Sequence, residues 1–204
     1  MTRSWWRENR YWLPALPVAL AAMMLTSSYN VKDYWYDNGL HHKLASAPQR
    51  TFVSTTDHYD DAIGPTSRTY SVRLAGLGST DAYPDEEDGE PGSPPDGVDA
   101  VVVQLDWKAP VDQVLRGCTV SLVDDQGLRY DVDSASFVNV CTPDGHAGPH
   151  DPFSVTDQRG LVPEGEDRPT TWSTSPVVLV PHGRTVTQVL VWWQTPNYVQ
   201  LSAS

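Results

Sequence analysis

Positive charge is scarce in this chain. Its 204 residues include 14 Lys and Arg against 26 Asp and Glu, which gives a net charge of -12 at pH 7. A nucleic-acid-binding protein needs a cationic surface to replace the counterions of the phosphates, so this balance excludes DNA and RNA as general partners. Apolar residues are not scarce: they make up 39% of the chain and include eight tryptophans, which excludes disorder along its whole length. The length predicts one domain, or one domain plus an anchor.

The common signatures of catalytic and cofactor sites are also missing. The sequence has no GxSxG, SxxK, HExxH, P-loop or GxGxxG motif. His146 and His150 have the spacing of a helical zinc pair, but Ala147-Gly148-Pro149 lies between them and favours a polar loop. We therefore predict a protein that is not an enzyme and that binds no cofactor and no metal ion.

Several clusters of acidic residues make calcium binding an alternative to a metal-free protein. Carboxylates recur at residues 85–90, at Asp124 and Asp125, and at Asp131 and Asp133. None of these segments has the Asp-x-Asp-x-Asp-Gly spacing of a calcium loop, and a turn explains the pair at 124 and 125. The alternative to a non-catalytic module is therefore a calcium-dependent sensor, or a hydrolase whose site is spread over loops.

The N-terminus has the pattern of a membrane anchor. The sequence is uncharged from residue 11 to residue 31. As a helix, residues 11–29 would span about 28 Å, close to the roughly 30 Å of hydrocarbon in a bilayer. Arginines precede this run and aromatic residues flank both of its ends, so residues 1–10 are predicted in the cytoplasm and the C-terminal region outside the cell. The residues predicted at the membrane interface are Arg3, Arg7, Arg10, Trp5, Trp6, Trp12, Tyr34, Trp35 and Tyr36.

Two other interpretations of the N-terminal segment stay open. A cleaved signal peptide needs small residues at its cleavage site, and Thr26-Ser27-Ser28 matches poorly because the apolar run continues through Leu25. A buried core helix is the second interpretation, although about 19 residues is long for one. No cysteine precedes Cys118, so a lipoprotein anchor is excluded.

From residue 51 onward, short stretches alternate between apolar and polar residues. Within Val98–Lys108, the side chains of Val101, Val103, Leu105 and Trp107 fall on one face. This period of two predicts β-strands, and several such segments separated by turns predict an antiparallel β-sandwich. The predicted division is a cytoplasmic tail at 1–10, a transmembrane helix at 11–29, a juxtamembrane stalk and linker at 30–50 (helical over 30–43, linker over 44–50), and a β-sandwich at 51–204 with a mobile acidic loop at 81–97.

Two residue pairs are candidates for special roles in the exported domain. Cys118 and Cys141 are its only cysteines, and an even pair outside the cytoplasm predicts a disulfide. Two free buried thiols are the alternative, because sequence spacing does not give a distance in space. Trp192 and Trp193 are adjacent, so on a strand they point to opposite faces. One is predicted in the core, and the other is the candidate partner contact unless a loop covers it.

Parts of the sequence resemble known bacterial proteins. The start RENRYWLPALPVALA and the segment SSYNVKDYWYDNGLHH resemble uncharacterised single-pass membrane proteins of high-GC Gram-positive (actinobacterial-type) bacteria. Val101–Trp107, the turn Asp124–Gly127 with Tyr130, and Val177–Pro181 are similar to the immunoglobulin-like sandwich of bacterial extracellular lipoproteins, although the lipidated cysteine is absent. The resemblance implies an all-β, immunoglobulin-like exported domain that has no established catalytic residues.

Together these features predict a membrane-anchored, extracellular, non-catalytic binding or accessory module. Its predicted partners are the cell membrane, through the N-terminal helix, and an envelope or transporter protein. Nucleic acid is not among them.

Overall fold

The N-terminal unit contains one helix. The computed structural model describes residues 8–10, 14–32, 39–60, 64–84, 91–115, 117–132, 140–142 and 168–203, and the chain divides into compact units at residues 1–40 and 41–204. Helix α1 covers Ala15–Val31 and tolerates Pro17 because the first turn has no intrahelical partner for its backbone nitrogen. Among the described residues, no helix is long and apolar enough to cross a membrane.

Most of the predicted membrane-interface residues have no described position. Arg10 is described and is exposed to solvent. The others lie outside the described residues: Arg3, Trp5, Trp6, Arg7, Trp12, Tyr34, Trp35 and Tyr36.

The second unit is built from β-strands. Its described strands are β1 His42–Ala47, β2 Val53–Asp60, β3 Pro65–Thr80, β4 Tyr83–Pro84, β5 Pro91–Gly92, β6 Val98–Lys108, β7 Thr119–Asp124, β8 Arg129–Asp131, β9 Thr171–Thr174, β10 Val177–Pro181, β11 Val186–Trp192 and β12 Asn197–Ser202. Sheet A has the order β1-β12-β11-β7-β8, and sheet B has the order β10-β6-β3-β2, with β9 also paired to β6. β1 runs parallel to β12, and the other described pairings in the two sheets are antiparallel.

One hydrophobic core lies between the two sheets. Alternate residues of each central strand are buried in it, as the period of a strand requires. Sheet B contributes Tyr70, Val72, Leu74, Val103, Leu105, Trp107, Val178 and Val180, and sheet A contributes Ala47, Val120, Leu122, Val189, Val191, Val199 and Leu201. The predicted β-sandwich is therefore confirmed.

The predicted linker at 44–50 is wrong, and so is the end of the predicted helical stalk. Residues 42–47 form β1, which pairs with β12 at the other end of the chain, so the sandwich unit begins near residue 41 instead of 51. The strand carries no clear alternation of its own because it is a short edge strand with a single large apolar side chain, Leu44. Its conformation is set by a partner more than 150 residues away, as in the His42–Asn197 contact at a separation of 155.

The predicted acidic loop is partly paired. Tyr83–Pro84 and Pro91–Gly92 form the short antiparallel ladder of β4 and β5 inside the interval 81–97. Residues 85–90, with most of its carboxylates, lie outside the described residues.

Candidate functional site

The adjacent tryptophans at the end of β11 point to opposite sides of sheet A, as predicted. Trp193 is only 8% exposed and packs in the core, with its ring centroid 4.7 Å from that of Tyr70 and 6.3 Å from that of Trp107. Its indole Nε1 donates to the backbone oxygen of Leu115 at 3.0 Å. Trp193 is therefore a core residue, and Trp192 is the outward one.

Trp192 lies half-buried on the outer face of sheet A. Its indole Nε1 donates to the hydroxyl of Ser121 at 2.9 Å. Ser121 is outward-facing on β7 and yet 0% exposed, which is explained if the indole covers it. The Arg129 guanidinium lies 5.9 Å from the centroid of the Trp192 ring, and Arg129 also pairs with Asp131 at 3.0 Å. A hydrogen bond and a nearby cation thus hold Trp192 in place.

Strand register extends this outer face around Trp192. Gln200 of β12 and Ser121 of β7 both pair with Leu190, which therefore lies at the centre of the face. Tyr198 pairs with Lys43 at one side of the same sheet. Leu190 and Ser121 are themselves buried, whereas Trp192, Tyr198 and Gln200 are partly exposed and Arg129 is exposed. The accessible groups therefore combine aromatic rings with an amide and a guanidinium, the composition found in contact surfaces. We call this set (Leu190, Trp192, Tyr198, Gln200, Ser121 and Arg129) the sheet A face.

The outer face of sheet B has a different chemistry. Hydroxyl pairs run across β2 and β3: Ser54 with Ser71 at 2.7 Å and Thr56 with Thr69 at 3.0 Å. Phe52 precedes β2 as the aromatic of this side, and it is flanked by cations, with Arg73 at 4.6 Å and Lys108 at 4.1 Å from its ring centroid. Sheet B therefore presents hydroxyls and charges, and sheet A presents the outward tryptophan.

A chain of polar contacts, buried at Asp57 and Arg68, joins the two sheets at one end of the sandwich. The Asn197 side-chain amide donates to Asp57 Oδ1 at 2.8 Å, and Asp57 Oδ2 lies 3.6 Å from Arg68 Nε. His42 Nδ1 lies 2.6 Å from Asn197 Oδ1; because that oxygen only accepts, Nδ1 carries the proton. These polar contacts connect β1, β12, β2 and β3. Local sequence patterns did not predict them because the residues involved are far apart in the sequence.

Aromatic rings enclose the charged part of this chain. The Arg68 guanidinium lies 3.6 Å from the ring centroid of Tyr59 and 4.9 Å from that of Trp193. Burial, with the Asp57 carboxylate adding to it, raises the pKa of Tyr70 well above its usual value, although Arg68 acts in the opposite direction. The Tyr70 phenol is therefore neutral across the physiological range and serves as a packing group.

An open groove lies beside this cluster, at the end of the β2–β3 hairpin. Its volume is about 500 Å³, and it is lined by His58, Tyr59, Asp60, Pro65, Thr66 and Ser67. It brings together one imidazole and one carboxylate among hydroxyl groups, and residues 61–63, which join the two strands, lie outside the described residues.

The predicted disulfide is confirmed and anchors a second tryptophan cluster. Cys118 and Cys141 are bonded, with Cα atoms 6.1 Å apart. The backbone oxygen of Cys141 accepts a hydrogen bond from Trp172 Nε1 at 2.9 Å, and the Trp172 ring stacks on Trp107 with centroids 6.3 Å apart. Arg168 lies 5.1 Å from the Trp172 ring centroid, and burial lowers the pKa of its guanidinium while Asp112 opposes the shift. The disulfide therefore holds Cys141 next to Trp172, which stacks on the core residue Trp107.

The Asp124 carboxylate is a candidate calcium ligand in the sequence, but in the structure it accepts hydrogen bonds from residues of its own turn. It accepts from the backbone nitrogens of Gln126 and Leu128 at 2.9 and 2.8 Å and from the Tyr130 hydroxyl at 2.8 Å. Burial by itself raises the pKa of Asp124, but these hydrogen bonds and Arg184 outweigh it, so the pKa lies below its usual value. The predicted turn is confirmed, because Asp124 closes the β7–β8 hairpin.

The remaining metal candidates are dispersed. Asp131 pairs with Arg129, and Asp125 is exposed. Asp133, residues 85–90, His146 and His150 lie outside the described residues. Within the described part of the chain, no group of three or more His, Cys, Asp or Glu side chains is placed to hold a metal ion.

Known proteins give little to compare with this chain. No protein-family model matches the sequence, and no curated protein matches it. Among solved structures, the chain is similar to an uncharacterised β-sandwich protein from Clostridium difficile 630, with 8% identity and a TM-score of 0.33, over 81% of this chain and 96% of that one. This similarity indicates no function for the chain. The two-sheet arrangement is established by the strand pairings themselves.

Proposed function

We propose that the protein is a single-pass membrane protein whose residues 11–29 anchor an extracellular, immunoglobulin-like sandwich. The sandwich works without catalysis, as a binding or accessory module that contacts another protein of the cell envelope, such as a transporter component. The observation that carries the proposal is Trp192, an ordered tryptophan on the outer face of sheet A.

The sequence supports the anchor. Residues 11–31 are uncharged, arginines precede them, and aromatic residues flank both ends. An anchor holds the sandwich close to the membrane and raises its effective concentration toward any protein in the same membrane. A module that acts by contact benefits directly from that confinement.

The composition of the sheet A face supports the contact role. Tryptophan, tyrosine and arginine are the residue types that dominate binding energy in protein interfaces. The sheet A face holds all three: Arg129 lies 5.9 Å from the Trp192 ring centroid, and Tyr198 lies on β12. Because Ser121 and Arg129 already restrain the Trp192 ring, binding would cost little side-chain entropy at this residue.

Topology is tested with a C-terminal tag on the full-length chain. Protease added to intact spheroplasts should remove the tag and degrade the sandwich, and should leave a cytoplasmic marker protein intact. Full protection of the tag until the membrane is permeabilised would contradict the anchored, extracellular arrangement.

The contact role is tested with a matched pair of variants. Trp192→Ala removes the aromatic of the sheet A face, and Phe52→Ala removes the aromatic near the outer face of sheet B. After crosslinking in membranes, Trp192→Ala should lose at least half of its crosslinked partners while Phe52→Ala keeps them, with both variants unfolding close to the parent temperature. Equal crosslinking by all three proteins would refute the sheet A face as the contact site.

A further inference from the structure

The first strand of the sandwich is held along a single edge. β1 pairs with β12 alone in sheet A, and the ladder has a register shift between Lys43 and Ala45. Its side chains add little to the core: Ala47 is buried, and Leu44 and Ala45 are partly buried. Because no other strand precedes it in the second unit, β1 can leave sheet A without carrying another strand with it.

A strained crossover connects β1 to β2 in the opposite sheet. Residues 48–52 form it, and it is closed by hydrogen bonds from Arg50 N to Leu74 O at 2.8 Å and from Thr51 N to Pro48 O at 3.3 Å. Arg50 has a φ of 65°, in the left-handed region that is unfavourable for an L-residue with a side chain. The strain exists only while the chain turns back on itself here, and extending the crossover releases it. Short hinge loops under strain favour strand exchange.

We propose that two copies of this chain exchange β1, so that β1 of one copy pairs with β12 of the other. The exchanged strand meets the partners it has within one copy. His42 contacts Asn197 at 2.6 Å, Lys43 Nζ contacts Gln200 Oε1 at 3.4 Å, and Ala47 pairs with Leu201. The two arrangements therefore differ mainly in the crossover and in the entropy of association.

The β12 edge fits a second copy better than a foreign strand. Asn197 is committed to Asp57 through its amide and needs a donor for its side-chain oxygen, which His42 supplies. Along the same edge, the small Ala47 pairs with Leu201, and the long cation of Lys43 pairs with Tyr198 on the other side of the register shift. The β1 sequence meets all three requirements together. This inference shares Gln200 with the sheet A face but does not need Trp192 or a bound partner, so it stands or falls separately from the proposed function.

Exchange is tested with two differently tagged full-length chains that are co-expressed and purified in detergent. One carries Ser46→Cys and the other Gln200→Cys, because these residues are paired between β1 and β12. A short bis-maleimide is added without reductant, so that Cys118 and Cys141 stay in their disulfide. A covalent product with both tags is expected. Replacing Gln200→Cys by Thr171→Cys on β9 is the matched control and should give none.

A single chain with both Ser46→Cys and Gln200→Cys completes this experiment. Exchanged copies give covalent dimers of this variant, and unexchanged copies give only internally linked monomers. Internal links alone, together with no two-tag product in the mixed sample, would overturn the proposal.

Substitutions at Arg50 test whether strain in the crossover favours the exchange of β1. Arg50→Gly relieves the left-handed strain of the closed crossover and should lower the yield of two-tag product by about fivefold or more. Arg50→Val raises that strain because a β-branched residue fits the region worse, and it should increase the yield. Neither change touches the β1–β12 pairing. A higher yield with Arg50→Gly, or the same yield with both variants, would overturn the strain argument.

Discussion

Breaking the buried ion pair at the end of the sandwich should be among the most damaging single changes to stability. The side chains of Asp57 and Arg68 are 3% and 4% exposed, and their Oδ2 and Nε atoms lie 3.6 Å apart. Asp57→Asn keeps the size of the side chain and an oxygen that can accept from Asn197, so it removes the charge alone. Arg68 is then a buried cation that has lost this carboxylate, which costs about 3–5 kcal/mol.

The control is an exposed ion pair of similar distance. Arg129 Nε and Asp131 Oδ1 are 3.0 Å apart, but their side chains are 40% and 41% exposed. Water and salt screen such a pair, so Asp131→Asn should cost less than about 1 kcal/mol. The contrast between the two Asp→Asn variants therefore measures the effect of burial.

The measurement is urea unfolding followed by tryptophan fluorescence. Trp193, one of eight tryptophans in the chain, has its ring centroid 4.9 Å from the Arg68 guanidinium and contributes to this signal. The double variant Asp57→Leu with Arg68→Met removes both charges and should recover a large part of the loss, because apolar side chains of similar volume avoid the buried charge. An Asp57→Asn loss no larger than that of Asp131→Asn would show that Arg68 is effectively hydrated and would refute this reasoning.

Three further predictions concern the disulfide, a buried indole and the β7–β8 turn. Replacing both Cys118 and Cys141 by Ser should lower the free energy of unfolding by about 3 kcal/mol on the chain-entropy model for a separation of 23 residues, as measured by urea unfolding; an unchanged midpoint would contradict it. Thr174→Val removes the acceptor of Trp107 Nε1, now at 2.9 Å, and should cost about 1–3 kcal/mol by thermal or urea unfolding, whereas Thr174→Ser should cost much less. The pKa of Asp124 is lowered in the fold, so its stabilising effect is complete above the ordinary aspartate pKa and is lost as the pH falls through the folded value. Unfolding measured between neutral and acidic pH should show this loss, and Asp124→Asn should flatten it; an equally steep acid dependence in the variant would contradict the assignment.

Features with a short-range cause were predictable from the sequence. The alternation in Val101–Trp107 identified β6 because a strand points successive side chains to opposite faces, and the same period separated Trp192 from Trp193. Two cysteines allow a single pairing, so the disulfide could be predicted, but only the fold excluded the alternative of two free thiols by bringing them together. The anchor, the extracellular location and the contact role remain predictions.

Features that depend on distant partners were decided only in the tertiary structure. β1 looked like a linker because its strand conformation is stabilised by β12, and a six-residue edge strand with one large apolar side chain shows no alternation. Asp57 looked like one more polar residue of β2 until β3 and β12 placed Arg68 and Asn197 against it. The sequence by itself determined which side chains lie on the same side of each strand, because that depends on neighbouring residues alone. Only the packing of the two sheets decided which of those sides is buried and which charges meet there, because both depend on residues far apart in the chain.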